Sequence, residues 1–174
     1  ICEGLVGSEM CIRDSILSID INNQCVEDTP DHETFEEWFD CALVNLNHHL
    51  TFEYRLFELS LKIVNANEIK ILNDKFRQNN KVTNVLSFPS KMSDVIVWPD
   101  DQAYHLGDIV ICPSKLNTEA YEQKKSNQSH WCHLAIHGFL HLFDYDHIDD
   151  KDAKKMEDLE ILICSKLGFS DPYK

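Results

Sequence analysis

The stretch His137-Gly138-Phe139-Leu140-His141-Leu142-Phe143-Asp144-Tyr145-Asp146-His147 constrains the fold more than any other part of this sequence. Trp131, Leu134, Ala135, Ile136, Phe139 and Leu140 recur at helical intervals. His137 and His141 then lie one turn apart on a single helix face. His147 can join them only if the helix ends near Phe143 and the chain turns back. The fold must therefore supply a helix, a reversal and room for three imidazoles. Three protein ligands leave one position of a tetrahedral zinc open, which suits catalysis better than structure.

The spacing matches the zinc-peptidase pattern H-E-x-x-H-x-x-G-x-x-H, with two differences. Gly138 stands where a peptidase has its general-base glutamate, so this helix lacks the side chain that would deprotonate a water for peptide hydrolysis. Asp144 stands at the turn glycine. Asp tolerates the left-handed conformation better than most residues, though less well than Gly. The bland alternative is a helix end with fortuitous histidines beside an acidic surface.

A length of 174 residues with 43% hydrophobic content fits one soluble domain with a real core. The formal charge of −14 excludes a general basic patch and counts against nucleic-acid binding by bulk electrostatics. A local basic pocket or a metal would have to do that work. No apolar run approaches the ~20 residues of a membrane span, and Ile1-Cys2-Glu3-Gly4 has no basic region leading an apolar one. Seven cysteines are scattered without a C-x-x-C pair; Cys25, Cys41, Cys112, Cys132 and Cys164 read as reduced thiols in or near apolar segments.

Residues 1–15 resemble a translated adapter fragment and are read as a non-native leader; 16–170 read as one metal-dependent hydrolase domain and 171–174 as a tail. Strands are expected at 16–21, 53–64, 82–88 and 106–112. Helices are expected from Pro30–Asp31 through Leu46, over 66–78, from Pro113 to about Lys125, from near His130 through the histidines, and after Asp149–Asp150 to Gly168. Ile69, Leu72 and Phe76 mark the inner face of the second helix. His48 and His49 read as surface residues. The loop from Ser90 to His105 is long enough for a lid or substrate rim. The fold class is α/β (α+β): a single domain with about four strands in a mixed sheet, about five helices and the metal site on a helix.

Several motifs together resemble one family. His137–His147 resembles the H-G-x-L-H-L-x-G-Y-D-H signature of the YbeY family, the bacterial rRNA maturation endoribonucleases. Val82–Pro89 resembles its P-T-[ND]-V-L-S-F-P strand, Leu106–Ile109 its L-G-D-I strand, and Asn73 with Phe76-Arg77 its L-N-x-x-[YF]-R helix end. Glu119-Ala120 and His133 also fall where the family has such residues. The likeness spans roughly residues 16–170. The departures are Asp144 for Gly, at the turn that must return His147, and Val82 for Pro.

The resemblance implies a zinc-dependent, single-strand-specific endoribonuclease of the cytoplasm, acting in small-subunit rRNA maturation and ribosome quality control. One Zn2+ per chain would be held by His137, His141 and His147, with Arg77 as a catalytic phosphate contact. The partners would be single-stranded RNA or rRNA and the small ribosomal subunit, with no membrane and no DNA. The alternatives are a non-catalytic zinc-containing ribosome-associated factor and, more remotely, a metallopeptidase-like hydrolase. Asp146 and Asp108 are candidates to orient a histidine through its second ring nitrogen, or else ordinary turn and strand-end aspartates. His133, one turn before His137, reads as a packed polar neighbour, with a proton carrier or a substrate contact as the alternatives. His105 and His130 carry no special reading, and Lys75, Arg77 and Lys81 form either the one local basic patch or an ordinary solvated turn. Attack on a phosphodiester could come from an activated water or from the neighbouring ribose hydroxyl; only the second leaves a cyclic phosphate.

Overall fold

Period-two alternation of apolar residues builds the sheet. The computed structural model describes residues 16–46, 56–90 and 103–174. Strand β1 (Ile16–Asn23) buries Leu17 and Ile19 and exposes Ser18 and Asp20. Strand β2 (Leu56–Ile63) buries Phe57, Leu59, Leu61 and Ile63. Strands β3 (Val85–Pro89) and β4 (Tyr104–Ile111) complete a sheet of order β1-β2-β4-β3. β1 and β4 both run parallel to β2, and β3 runs antiparallel to β4. The mixed four-stranded sheet expected from the sequence is therefore present.

β4 carries a bulge. Glu58 pairs with His105 and Leu59 with Gly107, so Leu106 is the extra residue. Gly107 has φ +140°, and a Cβ there would lie 2.3 Å from the Phe88 carbonyl oxygen. Only glycine lets β3 and β4 approach so closely.

Five helices are present among the described residues: α1 (His32–Leu46), α2 (Ala66–Arg77), α3 (Pro113–Glu122), α4 (Asn127–His141) and α5 (Asp150–Lys166). Their starts follow capping chemistry. Asn65 Oδ1 accepts from the backbone N–H groups of Asn67 and Glu68, both at 3.0 Å. Ser126 Oγ accepts from Ser129 N, and Asp149 Oδ1 from Lys151 N and Asp152 N. The Ser126 cap starts α4 at Asn127, three residues before the expected His130, so the polar run 126–129 is a cap and first turn rather than a break.

One face of the sheet carries the main core. Phe35, Trp38, Phe39, Ala42, Leu43 and Leu46 of α1 pack there with Trp131, Ala135, Ile136, Phe139 and Leu140 of α4 and with Met156, Ile163 and Cys164 of α5. Phe39 stacks on Phe139 at 5.1 Å. Each such fully buried side chain contributes roughly 1.5–3 kcal/mol, so apolar packing places α4 without help from a metal. The other face holds a smaller cluster of Val64, Ile69, Leu86, Val110 and Cys112. There Phe76 departs from the expected inner position: it is 52% exposed and rests edge-on against Phe88. It sits at the last turn of α2, beyond the body of that cluster.

Cys112, Cys132 and Cys164 are buried, Cys25 and Cys41 half-buried, and all five are free thiols, as expected. The leader, His48, His49, the first residues of the expected second strand and most of the Ser90–His105 loop lie outside the described residues.

Candidate metal centre

Helix α4 is enclosed on nearly every side, touching α1, α3, α5, β3 and β4. Its polar row is a single stripe: His130, His133, His137 and His141, with successive ring centroids 6.3, 6.3 and 4.7 Å apart. On the flank of that stripe, Gly138 presses on the sheet. A Cβ at Gly138 would meet Ser87 Oγ and Val85 Cγ2 at 3.1 Å and Ile109 Cγ2 at 3.2 Å. Ser87 Oγ donates to the Gly138 carbonyl at 2.8 Å in the same contact. The position of the peptidase glutamate thus faces packed strands, and no general base fits there.

The helix closes through a tight reversal. Asp144 N–H donates to His141 O and Tyr145 N–H to Leu140 O, both at 3.3 Å, and Asp144 takes φ +61°. These are the paired bonds of a Schellman motif with Asp144 at the left-handed position usually held by glycine. The aspartate adopts the turn, and the chain returns His147 to the other two histidines. One ring nitrogen from each of His137, His141 and His147 lies within 4.8 Å of the others. The His137 and His147 rings stack at 5.6 Å, and those of His141 and His147 meet edge-on at 5.3 Å.

The donor set fits a metal ion. His137 Nε2 and His141 Nε2 are 3.2 Å apart. Two nitrogens bound at ~2.0–2.1 Å to one tetrahedral zinc lie about 3.3 Å from each other. Burial, followed by the neighbouring His137, holds the His141 pKa below its usual value, against a backbone hydrogen bond at Tyr145. A neutral imidazole is the form that binds a metal. His147 is the exposed member, on the solvent side of the trio.

A carboxylate that reaches this cluster is Glu160 of α5, a residue that sequence reasoning passed over. Glu160 is fully buried. Its Oε1 lies 2.7 Å from His137 Nδ1 and its Oε2 3.1 Å from His133 Nε2, and Oε2 also accepts from the Tyr173 hydroxyl. Burial alone would raise the Glu160 pKa; the hydrogen bonds from His133 and His137 outweigh it and hold the group at about 2. Burial and then the Glu160 contact push the Tyr173 phenol up. The one available signal in the sequence was the i, i+3, i+4 apolar face of α5, on which Glu160 falls between Leu159 and Ile163.

The aspartates considered for orienting a histidine sit elsewhere. Asp108 is on the opposite face of the sheet beside Val110; it lies 3.6 Å from His105 and borders an open cleft with Asp20, Lys62 and Phe76. The β4 bulge sets the side to which it points. Asp146 Oδ1 accepts from the His147 backbone N–H at 2.7 Å and stands 3.9 Å from His147 Nδ1, so it shapes the turn. His133 is a packed polar neighbour, as expected. His130 is buried, 3.4 Å from Glu119 Oε2.

Arg77 ends α2 and donates from Nη2 to the Ser87 carbonyl at 3.3 Å. It is thereby tied to the strand whose Ser87 side chain holds Gly138, the neighbour of His137. The buried Asn73 donates from Nδ2 to Lys81 O at 2.8 Å and closes the turn after α2. Lys75, Arg77 and Lys81 are all exposed.

The family described as endoribonuclease YbeY matches residues 20–168 of the chain. The endoribonuclease YbeY of Colwellia psychrerythraea (strain 34H) is 43% identical over 144 residues, covering 83% of this chain and 88% of that protein. The endoribonuclease YbeY of Dichelobacter nodosus is 41% identical over 162 residues, covering 91% and 98%. Among solved structures, the solution structure of TM1509 from Thermotoga maritima superposes with a TM-score of 0.55 at 24% identity, covering 90% of this chain and 99% of that one, a likeness of fold.

Proposed function

The chain belongs to the endoribonuclease YbeY family, and from that premise we propose that it is a zinc-dependent, single-strand-specific endoribonuclease acting in small-subunit rRNA maturation and ribosome quality control. The observation that carries the reading is the convergence of His137, His141 and His147, three imidazoles with no fourth protein donor in their cluster among the described residues. These three would hold one zinc ion. When bound, zinc supplies Lewis acidity at an open coordination position.

The remaining work falls to the chain. His147, on the exposed side, leaves the centre accessible to a polymer. Arg77, anchored on Ser87, offers a planar donor to a phosphate and steadies charge developing on it. Lys75 and Lys81 add local positive charge to a molecule whose total is −14. No helix among the described residues is long and apolar enough to cross a membrane. The substrates are single-stranded RNA and rRNA of the small subunit, encountered in the cytoplasm; DNA is not expected.

The test is cleavage of a labelled single-stranded RNA with zinc and with chelator, beside His141→Ala prepared identically. Metal-dependent cleavage that disappears in the variant is the expected result. A 2′,3′-cyclic phosphate on the product would identify attack by the ribose hydroxyl. Equal cleavage by both proteins would assign the activity to a contaminant and leave a metal-binding ribosome factor as the better reading.

A further inference from the structure

We propose that Glu160 is the positioning residue of the metal centre and that Tyr173 holds it in place. The inference rests on the three-histidine reading and extends it to two residues outside the histidine motif.

Each oxygen of Glu160 is occupied. Oε1 faces His137 Nδ1 at 2.7 Å; Oε2 faces His133 Nε2 and the Tyr173 hydroxyl. A carboxylate oxygen 2.7 Å from a ring nitrogen pairs with the N–H tautomer there, so the geometry points to the His137 proton on Nδ1. The lone pair is then on Nε2, the nitrogen that faces His141 at 3.2 Å. One contact fixes both the tautomer and the ring direction that metal binding requires.

The position is costly for mere packing. Glu160 is completely buried on a helix face otherwise made of Met156, Ile163 and Cys164. A buried ion costs several kcal/mol unless fully partnered, and an apolar residue of similar size would pack there more cheaply. The fold instead brings three donors to it from two other segments. The Tyr173 segment is itself tied down, because Lys125 Nζ donates to the Pro172 carbonyl at 2.5 Å. Tyr173 also packs edge-on against the His133 ring at 5.3 Å. Glu160 is therefore held on one oxygen so that the other can hold His137.

The experiment uses Glu160→Ala, Glu160→Gln and Tyr173→Phe in the full chain. Histidine 15N correlations on metal-free protein report the His137 tautomer. Competition with a chromophoric chelator reports zinc affinity. Wild type should show His137 protonated at Nδ1, and Glu160→Ala should lose that preference and bind zinc about 10–100-fold more weakly. Glu160→Gln, whose amide oxygen can still accept from Nδ1–H, should restore the tautomer and recover part of the affinity. Tyr173→Phe, which removes one hydroxyl from a half-exposed ring, should keep the tautomer and lose a few-fold in affinity. A His137 proton that stays on Nδ1 in Glu160→Ala, or zinc affinity within twofold of wild type in both Glu160 variants, would overturn the proposal. If Glu160→Ala does not fold, Glu160→Gln decides: wild-type affinity there overturns it. Absence of zinc binding by wild type would instead defeat the three-histidine reading, while the metal-free tautomer still tests Glu160.

Discussion

Helix α4 meets a glutamate twice, and only one of the meetings makes a site. Near its start His130 Nε2 lies 3.4 Å from Glu119 of α3; near its end His137 Nδ1 lies 2.7 Å from Glu160 of α5. The pairs look alike, but their surroundings differ. Glu119 also accepts from Asn84 Nδ2 at 2.8 Å and pairs with Lys115 at 3.1 Å, and His130 is only 3% exposed. Its second nitrogen, Nδ1, is buried with no protein partner. At the other end the second nitrogen of His137 faces His141, with His147 beside it. A histidine held by a carboxylate becomes a candidate metal ligand when its free nitrogen opens onto other donors; enclosed, it is a packing element.

The largest effect should separate the two pairs outright. His137→Ala is expected to abolish high-affinity zinc binding; it also leaves Oε1 of the buried Glu160 without its partner, at a cost of roughly 1–3 kcal/mol or more, on a helix that its apolar face still places. His130→Ala is expected to bind zinc like wild type but to cost roughly 1–3 kcal/mol of stability, since it leaves Glu119 and a buried space short of a partner. Chelator competition and urea unfolding on the same samples check both. Acid should narrow the second difference. Burial, opposed by Glu119, holds the His130 pKa below its ordinary value. Its contribution is therefore complete above the unfolded value of ~6.5 and is lost as pH falls through the lower folded one. The gap in urea midpoint between wild type and His130→Ala should shrink below pH ~6.5. A gap that widens instead would mean that His130 works as a cation on Glu119.

A smaller effect is expected where both pairs share a support, the contact of α4 with the sheet. Gly138→Ala places a methyl 3.1–3.2 Å from Ser87 Oγ, Val85 Cγ2 and Ile109 Cγ2. Side chains can give by a few tenths of an ångström, so the expected cost is about 1–2 kcal/mol, typical of mild overpacking. Zinc affinity should fall with it, because His137 is the adjacent residue. Unchanged thermal stability would show that the helix can ride away from β3 without consequence, and would reopen this position to a larger side chain.

The sequence exposed what local pattern encodes. The strand alternation of Leu59, Leu61 and Ile63, the helical repeat of α1 and the H-x3-H-x5-H spacing each follow from a period or a turn, and each appears in the structure. Glu160 was passed over for the converse reason. Its partners lie 13, 23 and 27 residues away, and in isolation it is one acid among the many of α5. Asp108 was a candidate beside Asp146, yet a one-residue bulge decides its side of the sheet, and a bulge leaves little trace beyond a glycine. Gly138 could be read as an absent base but not as a packing contact, since β3 and α4 are brought together only by the tertiary fold.

The smallest effect lies at the turn that makes the second pair more than a copy of the first. Asp144 occupies the left-handed C′ position of α4 with φ +61°, and the two bonds of the motif are made around it. Asp144→Gly removes the cost of a Cβ in that region, of order 1 kcal/mol for an ordinary residue and less for Asp. It also adds backbone entropy to the unfolded chain, worth roughly 0.5–1 kcal/mol in the opposite sense. The two nearly cancel, so the expected change is within about 0.5 kcal/mol, with zinc affinity unaltered. A β-branched residue has no such tolerance. Asp144→Val should lose about 1–2 kcal/mol and weaken zinc binding, because relaxing the strain would move His147, the one ligand beyond the turn. If Asp144→Val binds zinc as tightly as Asp144→Gly, the return of His147 depends on α5 rather than on this turn, and what distinguishes the two histidine–glutamate pairs would have to be sought in the docking of α5 and Glu160.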